Sequence, residues 1–232
     1  ISVAQAYGAR KFDKMNKYAG NSITLAFVIG MVIMIVAHFL SRPLLKAIDT
    51  PDDIIDMSAQ YIDVLYYAVP IQMSLNNFNA LSRAVGDSKR PLYFLIVSVI
   101  VNLLLDILFV GGFKWGVIGA AWATAISELV AAVLSAISVL KYTEEYNIDK
   151  TALKIDGKVS WAQIKIGIPI SLQFSITSIG SMVLQTAVNG FGSSVIAGFT
   201  AAGRVEQLTN IPMSGLGVGN MTFVSQNYGA GK

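Results

Sequence analysis

Six apolar stretches of helical length divide this chain, and they constrain its fold more than any other feature of the sequence. They comprise residues 19–40, 61–81, 92–110, 117–140, 164–188 and 195–223. A helix needs about 20 residues to cross the hydrocarbon core of a bilayer, whereas a strand of a membrane barrel needs only about 10. Charged residues make up only 13% of the chain, too few to cover a water-facing surface. We therefore predict an all-α, multi-pass membrane protein; a buried soluble helix remains the alternative for 61–81, the least apolar stretch.

The basic residues between the spans predict the orientation of each helix. Of the 17 lysines and arginines, 13 lie in the first, third, fifth and seventh flanking segments, three in the other segments, and Arg204 inside the last span. Lysine and arginine accumulate on the cytoplasmic side of membrane proteins. The first set of segments is therefore predicted to be cytoplasmic. An acidic run is predicted to lie outside: Asp49, Asp52, Asp53 and Asp56.

A short phrase occurs twice, as VAQAYGAR at residues 3–10 and as VSQNYGAG at residues 224–231. Five of the eight positions are identical at an offset of 221 residues. Six predicted crossings separate the copies, so both have the same orientation, as in parallel repeats related by an axis along the membrane normal. We expect a whole protein of about twelve helices in two parallel six-helix repeats, with six of the helices in this chain. Gly8 and Gly229 are expected to end their helices in left-handed turns.

The longest polar stretch separates the two predicted halves. Residues 1–140 are predicted to hold the end of the second helix through the sixth helix of the N-terminal lobe, residues 141–163 a cytoplasmic linker, and residues 164–232 the first two helices of the C-terminal lobe. Near the end of this linker, Val159 and Trp161 lie beside Lys158. They fit either a short interfacial helix with Trp161 at the headgroups or a simple loop into the next span.

Polar side chains inside the spans identify a candidate cation site. Asn102 and Asp106 are four residues apart, so both project from one face of a helix. Thr124 offers a hydroxyl on the next helix, within the small-residue segment GAAWATAIS, where helices can approach closely. A carboxylate with neutral oxygens suits sodium, and a carboxylate alone suits a proton. The alternative is that Asp106 bonds to Asn102 and serves only packing.

Four other residues are candidates for a cavity or for coupling. Glu128 lies one turn beyond Thr124 and faces either the same cavity or interfacial water. Arg204 and Glu206 are two residues apart in the last span and point to different helix faces, so no direct pair is expected between them. Gln173 lies in the span 164–188.

Several other functions are excluded or disfavoured by the sequence. No cysteine is present, and the HExxH, GxSxG and P-loop patterns are absent, so no enzyme is predicted. The basic residues lie in membrane loops rather than in a nucleic-acid footprint. His38 and Asp63 are expected near the outer membrane interface.

Six short motifs, in their order and spacing, are similar to those of one transporter family: VAQAYGAR, LSRAVGDSKRP, VNLLLDILF, GVIGAAWATAIS, IGIPISLQ and VSQNYGAG. On these residues the chain resembles the multidrug and toxic compound extrusion (MATE) transporters across essentially its whole length. The resemblance implies a monomeric antiporter in the inner (cytoplasmic) membrane of a bacterium. Such a protein exports small organic, often cationic compounds against sodium or protons and uses no other cofactor.

The resemblance also implies a cation site in the N-terminal lobe. Members carry an Asp on the first helix, an Asn and an Asp one turn apart on the fifth, and a Thr on the sixth. Asn102, Asp106 and Thr124 stand at the last three of these places, and the first-helix Asp lies outside this chain. Some members carry an acidic residue on the seventh helix, which has no counterpart in the span 164–188. Coupling through the N-terminal lobe is therefore expected.

Two other functions remain as alternatives. A flippase for lipid-linked oligosaccharides, from the same superfamily, should have a cavity ringed with basic residues, and Arg204 is the only basic residue in the interior of the spans, since Lys165 lies at the edge of its span. A membrane-embedded enzyme or structural subunit would need a catalytic constellation or a cytosolic domain. Arg204 and Glu206 resemble a pattern on the eighth helix of the family to which no role is assigned.

Overall fold

The computed structural model describes residues 1–47, 54–143, 145–148 and 151–232. Within these ranges the chain forms helices and no β-strand. They are α1 (Ser2–Gly8), α2 (Phe12–Ala47), α3 (Ile55–Ala84), α4 (Lys89–Asp106, continued by a π-helical segment Ile107–Gly112), α5 (Gly116–Ile137, continued by a π-helical segment Ser138–Tyr142), α6 (Gly157–Asn189) and α7 (Ser193–Gly229). The six predicted spans fall one each in α2 to α7, which confirms the all-α architecture.

Length and hydropathy together separate these helices into two groups. In the described residues, four helices are both long and apolar enough to cross a bilayer: Phe12–Lys46, Lys89–Gly112, Gly116–Tyr142 and Gly157–Asn189. The other two long helices, α3 and α7, contain 30 and 37 residues. They extend over about 45 and 55 Å, enough to span a membrane. Their composition is more polar, because Asn76, Asn77 and Asn79 lie in α3 and Arg204 and Glu206 lie in α7.

The helices α2 to α5 form one bundle, in which α3 packs against both α2 and α5, and α4 packs against α5. A small residue allows close approach of α2 and α3, because a Cβ on Gly30 would lie 2.7 Å from the Cα of Pro70. The α5 helix buries a row of alanines and serines, as its small-residue composition predicts. Apolar side chains on α4 that do not line a cavity remain more than half exposed at a helical spacing, and we assign them to lipid: Ile100, Leu103 and Leu104.

The helix ends predicted to be cytoplasmic meet at one end of this bundle. Their apolar side chains form a buried cluster contributed by α1, α2, α3, the end of α5 and the segment that follows it: Val3, Ala4, Ala6, Met15, Ala19, Phe78, Leu81, Ala84, Val139 and Tyr146. The Tyr146 hydroxyl donates a hydrogen bond of 3.0 Å to the Leu81 carbonyl. Burial raises the pKa of this phenol above its ordinary value, with further contributions from the nearby Glu145 and Tyr7.

The two copies of the repeated phrase end their helices in the same way. The positive φ angles belong to Arg10 (55°) and Gly231 (75°), which are equivalent positions in the repeat. Three backbone hydrogen bonds of 2.9–3.0 Å close the first copy, and three of 3.0–3.2 Å between equivalent residues close the second. These bonds form a Schellman motif in each copy. The assignment of the left-handed turn to Gly8 and Gly229 was therefore wrong. Both are the last residues of their helices, and they lie where α1 packs against α7.

Helical structure occupies both ends of the predicted linker 141–163. The helical structure that includes α5 extends to Tyr142, and α6 begins at Gly157. Trp161 lies in the first turns of α6 with 63% of its surface exposed, so this segment is neither a separate interfacial helix nor a loop. Lys150 and the acidic residues Asp49, Asp52 and Asp53 lie outside the described residues.

Asn21 of α2 is the centre of a polar network that attaches the linker and α6 to the first half. Its side chain is fully buried, and its Oδ1 accepts hydrogen bonds from the Asp156 amide (2.9 Å) and from the Ser160 hydroxyl (3.2 Å). Its Nδ2 donates to Gln163 Oε1 at 2.9 Å, and Gln163 in turn donates to the carbonyl of Tyr18 (2.9 Å). These bonds join residues more than 130 positions apart and set the position of α6 relative to α2.

Asp156 caps the N-terminus of α6. Its Oδ1 accepts hydrogen bonds from the amides of Lys158 (2.9 Å) and Val159 (3.1 Å), as expected for an N-cap residue. The Lys17 ammonium lies 2.7 Å from Asp156 Oδ2. The hydrogen bond from Lys17, together with these amides, holds the pKa of Asp156 below its ordinary value of 3.8.

Candidate cation site and membrane cavity

A cavity of about 220 Å³ lies between α3, α4 and α5. About half of its lining residues are apolar, and the polar ones come from all three helices: Asn79, Ser98, Asn102, Thr124, Ser127 and Glu128. Three of the residues identified from the sequence, Asn102, Thr124 and Glu128, therefore face one space. Asp106 is not among the residues that line it.

Polar groups follow one another along α4 at four-residue intervals, and the first two of them line the cavity. Ser98 donates a buried hydrogen bond of 3.0 Å to the Ser127 carbonyl, which ties α4 to α5. Asn102 follows one turn later, and Asp106 one turn after that. Asp106 is the last residue of α4, and a π-helical segment begins at Ile107. Such segments inside helices occur frequently at functional sites.

Asp106 has a buried oxygen that needs a partner. Its Oδ1 is inaccessible to solvent and makes no hydrogen bond with the described residues. The alternative from the sequence, in which Asp106 bonds to Asn102, is therefore not seen for this atom. An unsatisfied buried carboxylate oxygen is costly in a membrane interior. A proton or a small cation would remove that cost, and the oxygens of Asn102 and Thr124 are of the kind that sodium accepts.

Thr124 and Glu128 lie one turn apart on α5. The Thr124 hydroxyl donates to the Ala120 carbonyl of its own helix at 3.1 Å, which leaves its oxygen lone pairs available to a ligand. Glu128 Oε1 accepts a hydrogen bond of 3.2 Å from Nε2 of Gln72 on α3. Within the part of the chain that the structure describes, no lysine, arginine or histidine pairs with Glu128 or with Asp106.

The remaining candidates do not reach this cavity. Gln173 lies on α6, and Arg204 and Glu206 lie on α7; all three are exposed, and none lines the cavity. Arg204 and Glu206 form no ion pair with each other, as expected from their spacing. Glu206 instead accepts a hydrogen bond of 3.5 Å from Asn210 one turn later.

His38 and Asp63 form a pair that the sequence did not predict. His38 Nδ1 on α2 lies 3.2 Å from Asp63 Oδ1 on α3; both atoms are buried, and neither forms a hydrogen bond with any described residue. The Tyr67 ring lies 5.8 Å from the imidazole. Further along the same two helices, Arg42 and Asp56 form an exposed pair at 2.9 Å. A histidine–carboxylate contact and an ion pair therefore connect α2 and α3 near the end predicted to be external.

Four polar residues around the cavity were not predicted as site residues: Gln72, Asn79, Ser98 and Ser127. Ser98 had a usable signal, because it precedes Asn102 by four residues and therefore shares its helix face. Asn79 had a weak signal, since it is one of several polar residues in the least apolar predicted span, 61–81. Gln72 had no local signal, because its bond to Glu128 joins residues 56 positions apart.

Comparison with known proteins identifies one family and several relatives. The family model described as MatE matches residues 1–108 and 169–232. The "Probable multidrug resistance protein YoeA" of Bacillus subtilis is 30% identical over 99% of this chain and 51% of its own length. The "Multidrug export protein MepA" of Staphylococcus saprophyticus is 21% identical over 97% of this chain and 50% of its own length. The chain thus spans about half the length of the curated relatives it matches.

A solved structure has the same fold. It is the outward-facing conformation of a multidrug resistance MATE family transporter of the MOP superfamily, and it superposes with a TM-score of 0.91 at 24% sequence identity. The match covers 99% of this chain and 51% of that one. At this identity the likeness establishes the helical arrangement.

Proposed function

The chain belongs to the MatE family, and from that premise we propose that the full-length protein is a secondary active exporter of small organic, often cationic compounds. The export is driven by inward movement of sodium or protons across the cytoplasmic membrane of a bacterium. Relatives named as multidrug resistance and multidrug export proteins match almost the whole chain, which supports transport rather than enzymatic chemistry.

The observation that carries this proposal is the unsatisfied carboxylate oxygen of Asp106 at the end of α4. A buried carboxylate with no cationic side chain nearby is either empty or occupied by a proton or a cation, and a coupled transporter cycles between these two states. Asn102 and Thr124, one turn away and on the facing helix, supply neutral oxygens. Occupancy of this site must favour one helix arrangement over the other, because a ligand shifts an equilibrium only by its difference in affinity for the two states.

The contact between α1 and α7 is the element that we expect to respond to this occupancy. It joins the two halves at the end predicted to be cytoplasmic. In transporters built from repeats, the substrate site is exposed alternately by movement of one half against the other. We propose that the α1–α7 contact is closed while the external side is open and separates when the cytoplasmic side opens.

The polarity of the cavity favours a cationic cargo over the anionic cargo of an oligosaccharide flippase. Glu128 is the charged residue among its lining residues, and no described lysine or arginine lines it. A phosphate-bearing lipid would meet a carboxylate there without a compensating cation, and like charges at short range repel strongly in a medium of low dielectric.

The direct test is transport in proteoliposomes that contain the full-length protein. Ethidium export should begin when an inward gradient of sodium or protons is imposed and should stop when the gradient is dissipated. Asp106→Asn should abolish the gradient-driven rate while expression and thermal stability remain close to those of the wild type. Asn102→Ala and Thr124→Val should weaken the dependence on the ion without abolishing transport, since each removes one neutral oxygen.

Two results would contradict the proposal. Ethidium movement that is independent of both gradients would remove coupled antiport. A rate for Asp106→Asn equal to that of the wild type would remove Asp106 from the site, even if coupled transport itself is observed.

A further inference from the structure

Glu128 is a second uncompensated carboxylate within the membrane helices, at a different level from Asp106. The α4 and α5 helices are antiparallel neighbours, and Asn102 and Thr124 line the same cavity. Asp106 lies one turn beyond Asn102 toward the predicted external side, and Glu128 lies one turn beyond Thr124 toward the predicted cytoplasmic side. The two carboxylates therefore lie in opposite directions from the Asn102–Thr124 level.

The surroundings of Glu128 hold its carboxylate in the cavity without neutralising it. Gln72 Nε2 on α3 donates one hydrogen bond to Oε1. An amide donor orients a carboxylate but supplies no net charge. No basic side chain of the described residues pairs with it. An ionised group inside a membrane protein without a partner is expensive, and such groups mark ion or substrate pathways.

We propose that Glu128, oriented by Gln72, is the anionic ligand of a second binding position in this cavity, for a monovalent cation larger than a proton. A proton needs no cavity, whereas the space beside Glu128 has a volume of about 220 Å³. Water occupies about 30 Å³ per molecule in the liquid, so the cavity accommodates a partly hydrated sodium ion or a substituted ammonium group.

The cation has two possible sources with the same chemistry. It is either the coupling ion on its way between Asp106 and the cytoplasm, or the charged group of the exported compound. The half-apolar lining, which includes Leu75, Phe94 and Val99, suits a substituted ammonium ion, and the polar half suits a hydrated ion. The choice between these two sources rests on the proposed export function. Binding of the cation at Glu128 does not, because it is measured without transport.

The first experiment is equilibrium binding to purified full-length protein in detergent. Two probes are used separately: radioactive sodium alone and tetraethylammonium alone. Glu128→Gln keeps the size of the side chain and an oxygen that accepts from Gln72, but it removes the charge. We expect the affinity for at least one probe to fall by about tenfold, which is the usual consequence of losing one charge-assisted contact.

The pattern of loss identifies the source. Weaker binding of sodium with unchanged binding of tetraethylammonium assigns the position to the coupling ion, and the opposite pattern assigns it to the cargo. Glu128→Asp keeps the charge and should retain the affinity within about threefold. Asp56→Asn, which removes an exposed carboxylate at the other end of α3, is the control and should bind both probes as the wild type does.

A second measurement needs no substitution. Dicyclohexylcarbodiimide modifies carboxyl groups in apolar surroundings, and mass spectrometry reports the modified fraction of Glu128 in the wild type. The probe that binds should slow this modification several-fold. This arm keeps the test valid if Glu128→Gln does not fold.

Three outcomes overturn the inference: affinities of Glu128→Gln for both probes within twofold of the wild type, equal losses in Glu128→Gln and Glu128→Asp, or no binding of either probe to the wild type. None of these depends on the transport assay. One further result separates the two proposals: Asp106→Asn loses gradient-driven export, and Glu128→Gln binds both probes as the wild type does. This result would leave the proposed function standing and remove only the second binding position.

Discussion

Gly8 of α1 packs directly on the backbone of Gln226 in α7: a Cβ at Gly8 would lie 2.9 Å from the Gln226 Cα. The reverse contact is present as well, since a Cβ at Gly229 would lie 2.8 Å from the Cα of Gln5. Residues 5 and 226, and residues 8 and 229, are equivalent in the repeat. The two copies of the phrase therefore form one symmetrical contact, and glycine is needed in each because another backbone occupies the space of its side chain.

Gly229→Ala should disrupt this contact. The added methyl group cannot fit against the Gln5 backbone unless α1 and α7 move apart, and overpacking of this kind costs about 1–3 kcal/mol. We expect a lower melting temperature and slower export by the full-length protein, and the same changes for Gly8→Ala. Gly157→Ala, at a helical glycine with no atom within 4 Å of the added Cβ, is the control and should leave both unchanged. Wild-type stability in Gly8→Ala and Gly229→Ala would show that the contact is dispensable.

Asn21→Ala should release the linker and α6 from α2. The substitution leaves the Asp156 amide, the Ser160 hydroxyl and the Gln163 carboxamide oxygen without their partner. Each unsatisfied buried group costs about 1–3 kcal/mol, although water admitted to the gap recovers part of this. The loss is measured as a lower melting temperature and as faster proteolysis between α5 and α6.

Asn16→Ala provides the matched control for Asn21. Asn16 lies on the same helix and accepts one exposed hydrogen bond, of 3.1 Å, from the Asn147 amide of the same linker. Its replacement should cost clearly less, because water replaces an exposed partner. Equal effects of the two substitutions would argue that burial of the Asn21 network contributes nothing.

Asp156 should make the start of α6 sensitive to acid. Its pKa is lowered in the folded protein, so the stabilisation it provides is complete above the ordinary carboxyl pKa of 3.8 and declines as the pH falls through the lower, folded value. Asp156→Asn keeps an N-cap side chain but loses the Lys17 ion pair. The difference in melting temperature between wild type and Asp156→Asn should therefore shrink below about pH 4.

A comparison at fixed pH separates the cap from the ion pair. Asp156→Ala removes both and should lower the melting temperature more than Asp156→Asn at neutral pH. A difference between wild type and Asp156→Asn that is constant from pH 3 to pH 7 would contradict the assignment of the lowered pKa to Lys17.

His38 and Asp63 should show energetic coupling in a double-mutant cycle. Both facing atoms are buried, so we expect a coupling of about 1 kcal/mol between His38→Ala and Asp63→Ala. The exposed Arg42–Asp56 pair on the same two helices, with both side chains more than 60% exposed, should couple by less than about 0.5 kcal/mol. Additive effects of His38→Ala and Asp63→Ala would indicate that the 3.2 Å approach carries no interaction energy.

The candidate site was predictable in part, for a reason visible in its residues. Asn102, Thr124 and Glu128 each have a local signal, because a polar side chain inside an apolar span stands out and a four-residue spacing fixes its helix face. The separation of Asp106 from the cavity had no such signal. It depends on how far the space between α3, α4 and α5 extends along α4, which the packing of the neighbouring helices sets.

By itself, the sequence determined the six long helices of the described residues, the ends of which lie up to seven residues beyond the predicted spans. It also determined the equivalence of the two repeated phrases, because hydropathy and repetition are properties of consecutive residues. Only the tertiary structure decided which polar groups meet: Gln72 with Glu128, His38 with Asp63, and Asn21 with Gln163. It also decided what Gly8 and Gly229 do, since the sequence predicted a turn where the fold has a contact between backbones. Such pairings depend on how each helix is rotated and how closely it approaches its neighbour, and packing among all the helices sets both quantities.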